Sequence, residues 1–235
     1  MKIPTIHGRP VFPWNPVKGC TEVSDGCRNC LAKVVSRRLK GKGLAEYATG
    51  FEPCLVEDRL DDPLKRIRPC CYRTADMSDL FHEAFPLDYV QNVVKIMRHA
   101  PQHLFLVTTK RAQRLKELAS ELEWPENLWL GVSVENREHV SRIEDLRMVP
   151  AARRFVSFEP LIGPIGEIDL SGMDWVVVGG ELGRYARHMD VSWVRTIRDC
   201  AIKQGKPFCF TTWDQSQKNV YGQMVDGQAW SQTPA

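Results

Sequence analysis

After residue 70, short apolar segments rich in β-branched and aromatic residues alternate with longer amphipathic segments, and this alternation restricts the fold more than any other feature. Strands that alternate with helices pair in parallel through right-handed crossovers, and wholly apolar strands indicate that both faces of the sheet are covered. The pattern therefore predicts an α/β fold. The predicted strands are 70–75, 104–108, 128–134, 154–158, 175–178 and 208–211, with an earlier strand near 11–14.

The segments between the strands have the apolar spacing of amphipathic helices. Asp190 or Ser192 is the expected cap of the last helix, and Gly205 is expected to end it. The predicted helices are 28–39, 86–99, 110–122, 137–146 and 192–204. Together with the strands they make about six or seven β/α units, which fit a partial or near-closed parallel barrel or an open doubly wound sheet.

Residues 1–215 are predicted to form a single domain, with a loop at 14–30, and residues 216–235 to form an irregular C-terminal tail. Polar residues collect just after nearly every predicted strand, where parallel α/β folds bind their ligands, and this favours the barrel. These residues are Asp76, Ser78, Asp79, Thr109, Lys110, Arg111, Ser133, Glu135, Asn136, Ser157, Glu159, Gly179, Gly180, Glu181, Thr212, Trp213 and Asp214.

The composition limits the setting in which the protein works. The 235 residues carry a net charge of +3, which is weak evidence for a nucleic-acid partner. No apolar run is long enough to cross a bilayer, and residues 1–10 lack the apolar stretch of a signal peptide. We therefore expect a cytoplasmic protein without membrane contact. In a reducing compartment its eight cysteines are expected to be metal ligands, catalytic groups or buried thiols rather than disulfides.

The segment 14–30 reads WNPVKGCTEVSDGCRNC and places three cysteines in a C-x6-C-x2-C pattern. Glycine and proline predict a loop around them, and thiolates gathered in a loop suit an iron–sulfur cluster or zinc. A structural zinc site needs four ligands, whereas three cysteines on a four-iron cluster leave one iron open. The pattern favours a cluster on Cys20, Cys27 and Cys30. A zinc site completed by His7, His82, Cys54 or Cys70 stays an alternative, as do ordinary buried thiols.

Several further stretches carry a family resemblance. They are DMSDLFHE at 76–83, TKRAQRL at 109–115, LWLGVSVEN at 128–136, SFEPLIGPI at 157–165, DWVVVGGELG at 174–183 and ARHMDVSWVRTIRDC at 186–200. With the cysteine segment, they resemble a phage-associated three-cysteine family of unknown function, named after phage gene products thirty-seven and sixty-eight. That family is itself similar to the radical S-adenosylmethionine (radical SAM) enzymes. A phage-encoded chain would act in the host cytoplasm.

The resemblance implies a [4Fe-4S] cluster and S-adenosylmethionine as cofactors, and an electron donor as a partner. Reductive cleavage of S-adenosylmethionine would give a 5′-deoxyadenosyl radical, which would attack an unknown substrate such as a nucleobase or nucleic acid. The expected cofactor-binding residues are Ser78, Asp79, Ser133, Glu135, Glu159, Gly179, Gly180 and Glu181. The expected substrate-binding residues are Lys110, Arg111, Arg184, Arg187 and Trp213.

The sequence departs from the usual radical SAM pattern at two places. The first gap between cysteines is six residues instead of three, and the Gly-Gly-Glu segment at 179–181 follows a late strand instead of the second. Within the phage family, Leu31 replaces a common tyrosine, and residues 210–214 lack a common lysine. Two other functions therefore stay open: a zinc-stabilised nucleic-acid-binding protein, and a hydrolase that uses the strand-end carboxylates with a divalent metal.

Overall fold

The computed structural model describes residue 3, residues 5–216 and residues 223–235. Its centre is an eight-stranded sheet in the order β1-β2-β5-β6-β7-β8-β9-β10. Only the pairing of β1 with β2 is antiparallel, and the other six pairings are parallel. The sheet curls into a partial barrel with β1 and β10 at its edges, which confirms the predicted fold class.

The strands are β1 (Thr5–Ile6), β2 (Arg9–Trp14), β3 (Val17–Lys18), β4 (Cys54–Leu55), β5 (Cys71–Thr74), β6 (Leu104–Thr109), β7 (Leu128–Ser133), β8 (Arg153–Phe158), β9 (Trp175–Gly179), β10 (Phe208–Thr212), β11 (Met224–Val225) and β12 (Gln228–Ala229). The α-helices are α1 (Leu31–Gly41), α2 (Asp62–Lys65), α3 (Leu87–His99), α4 (Ala112–Glu117), α5 (Ser141–Arg147) and α6 (Val191–Lys203). Short 3₁₀ helices occupy Asp25–Cys27, Ala45–Tyr47, Glu57–Arg59, Ala119–Glu121 and Arg137–His139.

Three helices begin later than their sequence pattern predicts, because local hydrogen bonds occupy the residues before them. Before α1, the amide of Cys27 closes a tight turn onto the Ser24 carbonyl at 2.9 Å. Before α4, the amide of Lys110 donates to Asp79, and before α5, Asn136 caps a 3₁₀ turn. At α6 the capping residue is Asp190, whose side chain accepts from the Ser192 amide.

The inner face of the sheet changes from apolar to polar along its strands. Side chains of a strand alternate between faces, so residues two apart share a face. On β6, Leu106 belongs to an inner apolar cluster, and Thr108 follows it on the same face and lines a cavity. On β8, Phe155 is followed in the same way by Ser157. The amino-terminal half of the curled sheet is thus filled, and the carboxyl-terminal half is left open and polar.

Apolar side chains on the outer face pack against the helices. This larger cluster includes Val93 and Met97 of α3 and Val194 and Ile197 of α6, all buried. Within the segment predicted as an irregular tail, β11 pairs with β12, and residues 230–232 lie along β10, where the Phe210 amide donates to the Trp230 carbonyl at 2.8 Å. The domain boundaries stay a prediction, and residues 217–222 lie outside the described part of the chain. Among the described residues, no helix is both long enough and apolar enough to span a membrane.

Candidate metal and cofactor site

A cavity of about 270 Å³ lies at the carboxyl ends of the parallel strands. The three cysteines of the 14–30 loop line it, together with residues within or just after the four strands β5, β6, β7 and β8. Its other polar lining residues are Arg73, Thr74, Asp76, Ser78, Asp79, Thr108, Lys110, Arg111, Ser133, Ser157 and Glu159. A second cavity of about 380 Å³ shares Cys30, Arg73, Asp76, Lys110 and Glu159 with the first, so the two are contiguous.

Backbone hydrogen bonds fix the position of Cys20. Its amide donates to the Phe51 carbonyl at 3.1 Å, and the amide of Gly19 donates to the Met77 carbonyl at 3.0 Å. Gly19 has a φ of +73°, and a side chain there would collide with the backbone of Phe51 and Glu52. Glycine is therefore required before the first cysteine, because only glycine combines this dihedral angle with such close packing.

The other two cysteines lie on consecutive turns that lead into α1. Cys27 ends the Asp25–Cys27 3₁₀ helix, and the Cys30 amide donates to the Cys27 carbonyl at 3.2 Å. Cys30 is the residue before the first turn of α1. Cys30 therefore lies at the amino terminus of α1, beside the cavity.

The Cys20 thiol is held in a mostly buried position. Burial raises the pKa of Cys20 to about 11, while the nearby Arg111 guanidinium opposes this rise. The Arg111 Nη1 donates to Cys20 Sγ at 3.4 Å. The free thiol is therefore protonated at neutral pH, and a metal would bind this sulfur with release of a proton.

Asp79 and Arg111, both predicted ligand-binding residues, line the first cavity and also belong to a hydrogen-bond network. Asp79 accepts from the Thr109 hydroxyl at 2.7 Å and from the Lys110 amide at 3.0 Å. Arg111 donates to Asp79 at 3.4 Å, to Glu83 at 2.8 Å and to the Thr21 hydroxyl at 2.9 Å. The network joins the residues after β5 and β6 to the cysteine loop.

Glu135 fixes the middle of the cysteine loop. Its side chain is fully buried, and it accepts from the Ser24 hydroxyl at 2.5 Å and from Arg142 at 2.6 Å. Lys110 Nζ lies 3.8 Å from the same carboxylate. Gly26 packs directly on the Glu135 side chain. This glutamate therefore positions the loop that carries the cysteines.

Glu181 also positions the cysteine loop, through contacts different from those of Glu135. It accepts from Asn29, which lies between two of the cysteines, at 2.9 Å and forms an ion pair with Arg187 at 2.6 Å. Arg187 also donates to the Asp25 carbonyl at 2.9 Å. Burial disfavours the charged carboxylate, but hydrogen bonds from Arg187 and Asn29 outweigh burial and lower the pKa of Glu181.

Glu159, one of the predicted cofactor-binding carboxylates, lines both cavities, as Asp76 does. It accepts from the Thr211 hydroxyl at 2.5 Å and from the Ser157 hydroxyl at 3.0 Å. A side chain at Gly179 would lie 2.6 Å from Glu159 Oε1, and one at Gly180 would lie 2.7 Å from Asp214 Cα. Glycine is thus needed at both positions, because neighbouring protein atoms leave no space for a side chain.

Three predicted substrate-binding residues line neither cavity, and one of them, Arg187, is paired with Glu181. Arg184 is exposed, with its guanidinium 5.5 Å from the Tyr185 ring centroid. Trp213 is 3% exposed, packs on Phe210 and donates to the Met224 carbonyl. Trp213 is therefore a core residue, although it directly follows the last strand of the sheet.

A family model described as "Protein of unknown function (DUF5131)" matches residues 11–234. The chain belongs to this family. It matches no curated protein sequence. The phage association inferred from the sequence stays a prediction.

Solved structures of spore photoproduct lyase are similar to this DUF5131 chain. A mutant with bound AdoMet and dinucleoside spore photoproduct shares 13% identity at a TM-score of 0.49, over 81% of this chain and 61% of that one. The lyase complexed with dinucleoside spore photoproduct shares 12% identity at a TM-score of 0.47, over 80% and 59%. The chain spans less than two thirds of these lyases, and likeness at this level transfers neither activity nor ligand.

Three cysteine thiols are the candidate metal donors of the DUF5131 site. All three cysteines are free thiols that line one cavity, and the described residues lining it include no histidine and no fourth cysteine. The proposed fourth zinc ligands lie elsewhere: His7 contacts Trp129, and Cys70 is buried beside His103. His82 and Cys54 are also outside the lining. Within residues 5–216 and 223–235, no three metal-ligating side chains lie close enough together to hold a metal ion in this structure.

Sequence reasoning missed several residues of the site. Arg73 and Thr108 line the cavity from within β5 and β6, and Ser24 and Asn29 hold the cysteine loop to Glu135 and Glu181. The two-residue alternation of the strands could have indicated Thr108, because it follows Leu104 and Leu106 on the same face. The contacts of the loop residues depend on the tertiary fold and leave no signal in the sequence.

Proposed function

We propose that this DUF5131 protein is a radical SAM-type iron–sulfur enzyme that uses Cys20, Cys27 and Cys30 as the ligands of a [4Fe-4S] cluster. One observation carries the proposal: three thiols, without a fourth thiol or a histidine among the described lining residues, face the cavity at the carboxyl ends of parallel strands. Three thiolates hold three irons of such a cluster and leave the fourth open to a small ligand.

The chemistry that this cofactor pair supplies is one-electron cleavage of a sulfonium and release of a 5′-deoxyadenosyl radical. The protein binds, orients and excludes water. S-adenosylmethionine carries an ammonium, a carboxylate and ribose hydroxyls. Asp76 and Glu159 line both cavities and suit the ammonium or the hydroxyls, while Lys110 suits the carboxylate. Ser133, which also lines the first cavity, can donate a hydrogen bond. Ser78 lines it too, but its hydroxyl donates to the Gly19 carbonyl and therefore offers an acceptor to a ligand.

The other predicted cofactor-binding carboxylates have a supporting role in this proposal. Asp79, Glu135 and Glu181 are occupied by protein donors, and each fixes part of the cysteine loop or the arginine that contacts it. They hold the loop in place against the strand ends, so that the three sulfurs stay at the cavity. Such fixed supporting groups set the orientation of metal ligands.

The proposed substrate is a nucleobase or a nucleic acid, and a low-potential electron donor completes the system in the cytoplasm, that of the host if the chain is phage-encoded. The support is the motif resemblance together with the basic surface beside the cavity. Helix α1 begins at the cavity and carries Lys33, Arg37, Arg38 and Lys40 without any acidic residue. A polyanion would be attracted to this side of the molecule.

Anaerobic reconstitution with iron and sulfide tests the proposal. We expect about four irons per wild-type chain, as a [4Fe-4S] cluster requires, and formation of 5′-deoxyadenosine from S-adenosylmethionine with a chemical reductant. Replacing any one of the three cysteines by alanine should remove both. Cys200→Ala is the control, because its thiol donates to the Ile168 carbonyl and is outside the cavity lining.

Metal analysis separates the alternatives. A single zinc per chain, without iron and without visible absorption, would support a structural zinc protein. Full iron loading without any 5′-deoxyadenosine would refute the enzymatic part of the proposal.

A further inference from the structure

We propose that Arg111 is a positioning residue for the metal-binding sulfur of Cys20, and that its guanidinium stabilises negative charge on that sulfur. The inference deepens the proposed function, on which its consequence for a cluster depends. It rests on the contact between Arg111 Nη1 and Cys20 Sγ at 3.4 Å. Nothing in the motif spacing requires this contact, since the two residues are 91 positions apart in the chain.

The guanidinium is held rigidly in a buried place. Its side chain is only 4% exposed. Nε donates to Glu83 at 2.8 Å, Nη1 lies 3.4 Å from Asp79, and Nη2 donates to the Thr21 carbonyl and hydroxyl. A planar fork with several fixed partners has one orientation, which a lysine ammonium cannot reproduce.

The partners of Arg111 are themselves fixed by the two strand ends. Asp79 receives hydrogen bonds from Thr109 and Lys110 directly after β6. The Arg111 amide donates to the Thr109 hydroxyl at 2.9 Å. His82, on the segment after β5, lies 2.8 Å from the Thr21 hydroxyl. The segments 76–83 and 109–115 therefore converge on the Cys20–Thr21 pair, and Arg111 is the cation at their meeting point.

A buried cation that donates to a ligand sulfur has a defined effect on an iron–sulfur site. Hydrogen bonds to the sulfurs and nearby charge raise the reduction potential, because they stabilise the more negative reduced state. Arg111 has this geometry toward Cys20. The carboxylates of Glu83 and Asp79 offset the single positive charge of Arg111, so the directed N–H···S bond is the main contribution to the sulfur that a substitution removes.

The test uses the full chain with Arg111→Gln and Arg111→Lys, and Arg98→Lys as the matched control. Arg98 is 59% exposed and pairs with Glu123. After reconstitution, a redox titration followed by electron paramagnetic resonance gives the midpoint potential. We expect Arg111→Gln to lower the ratio of reduced to oxidised cluster at a fixed potential about tenfold, or 59 mV for one electron. Arg111→Lys, which keeps the charge, should shift it less, and Arg98→Lys should not. An unchanged midpoint potential in Arg111→Gln would refute the claim that Arg111 raises the reduction potential of the cluster.

A second measurement needs no metal. A double-mutant cycle in the apoprotein combines Cys20→Ala with Arg111→Gln and compares urea midpoints. If the two side chains interact, the effects are not additive, whereas the distant pair Cys200→Ala and Arg98→Lys is additive. If both variants fold and the free-energy changes of Cys20→Ala and Arg111→Gln are additive, the inference is overturned. If the wild type takes up no iron, the proposed function fails, and the cycle alone decides whether Arg111 positions Cys20.

Discussion

Replacing Gly26 by alanine should loosen the cysteine loop through a single steric contact. Gly26 lies in the Asp25–Cys27 turn and is buried against Glu135. An added methyl group would lie 2.6 Å from Glu135 Oε1 and 2.8 Å from its Cδ. The backbone dihedral angle of Gly26 is not in the left-handed region, so the conflict is one of space alone.

Glu135 has little freedom to move away. Its carboxylate is fully buried and is held by Arg142 at 2.6 Å and by Ser24 at 2.5 Å. Overpacking a filled site costs about 1–3 kcal/mol. Relief by a shift of the loop would break the bond from Ser24 to the carboxylate, which costs about 1.5–3 kcal/mol. Only one of the two routes operates, so the free energy of unfolding should fall by about 2 kcal/mol. For a chain of this size, that loss lowers the melting temperature by roughly 4–8 °C.

Thermal and urea unfolding of the apoprotein measure this loss, and iron content after reconstitution measures its effect on the site. The matched control is Gly41→Ala at the end of α1, where a methyl group would have no atom within 4 Å. Alanine there should be neutral or stabilising by up to about 1 kcal/mol. Gly26→Ala with wild-type stability and wild-type iron content would refute the claim that Glu135 fixes the loop by direct packing.

Three further outcomes follow from the same contacts. The lowered pKa of Glu181 means that its stabilisation is present above the unfolded pKa and is lost as the pH falls through the folded value. Glu181→Gln, which breaks the pair with Arg187, should therefore flatten the fall in stability below about pH 4.5 in acid titrations followed by circular dichroism; an unchanged profile would contradict this. Trp213→Ala should lower the unfolding free energy by about 3–5 kcal/mol, as for a core tryptophan, and a loss of ligand affinity at full stability would show a surface role instead. Thr109→Val should cost about 1–3 kcal/mol in urea unfolding because it leaves Asp79 short of a buried donor, and a neutral effect would remove the hydroxyl from the network.

The strands were predictable because their signal is local. Each of the six strands after residue 70 forms within a residue or two of its predicted bounds, since a run of apolar residues is sufficient to define a strand covered on both faces. Helix starts were less predictable. The predicted helix at 110–122 becomes the six-residue α4, because the first residues of the segment bind Asp79 and the Thr109 hydroxyl instead of propagating a helix.

The site was predictable in position but not in the division of roles. Parallel strands place their carboxyl ends together, so polar residues after the strands had to meet at one edge. Whether each of them faces the cavity or another protein atom depends on neighbours distant in the chain. Glu135 and Glu159 look alike in the sequence, yet Arg142 and Ser24 bury the first, and the second lines the cavity.

The sequence by itself determined the strand series, the parallel topology and the three clustered cysteines, because these depend on short-range spacing and on the periodicity of the backbone. Only the tertiary structure decided that Arg111 contacts Cys20, that Glu135 and Glu181 position the cysteine loop, and that Trp213 belongs to the core. These pairings join residues up to 152 positions apart, and their energy depends on burial and on directed hydrogen bonds that exist only after the sheet has curled.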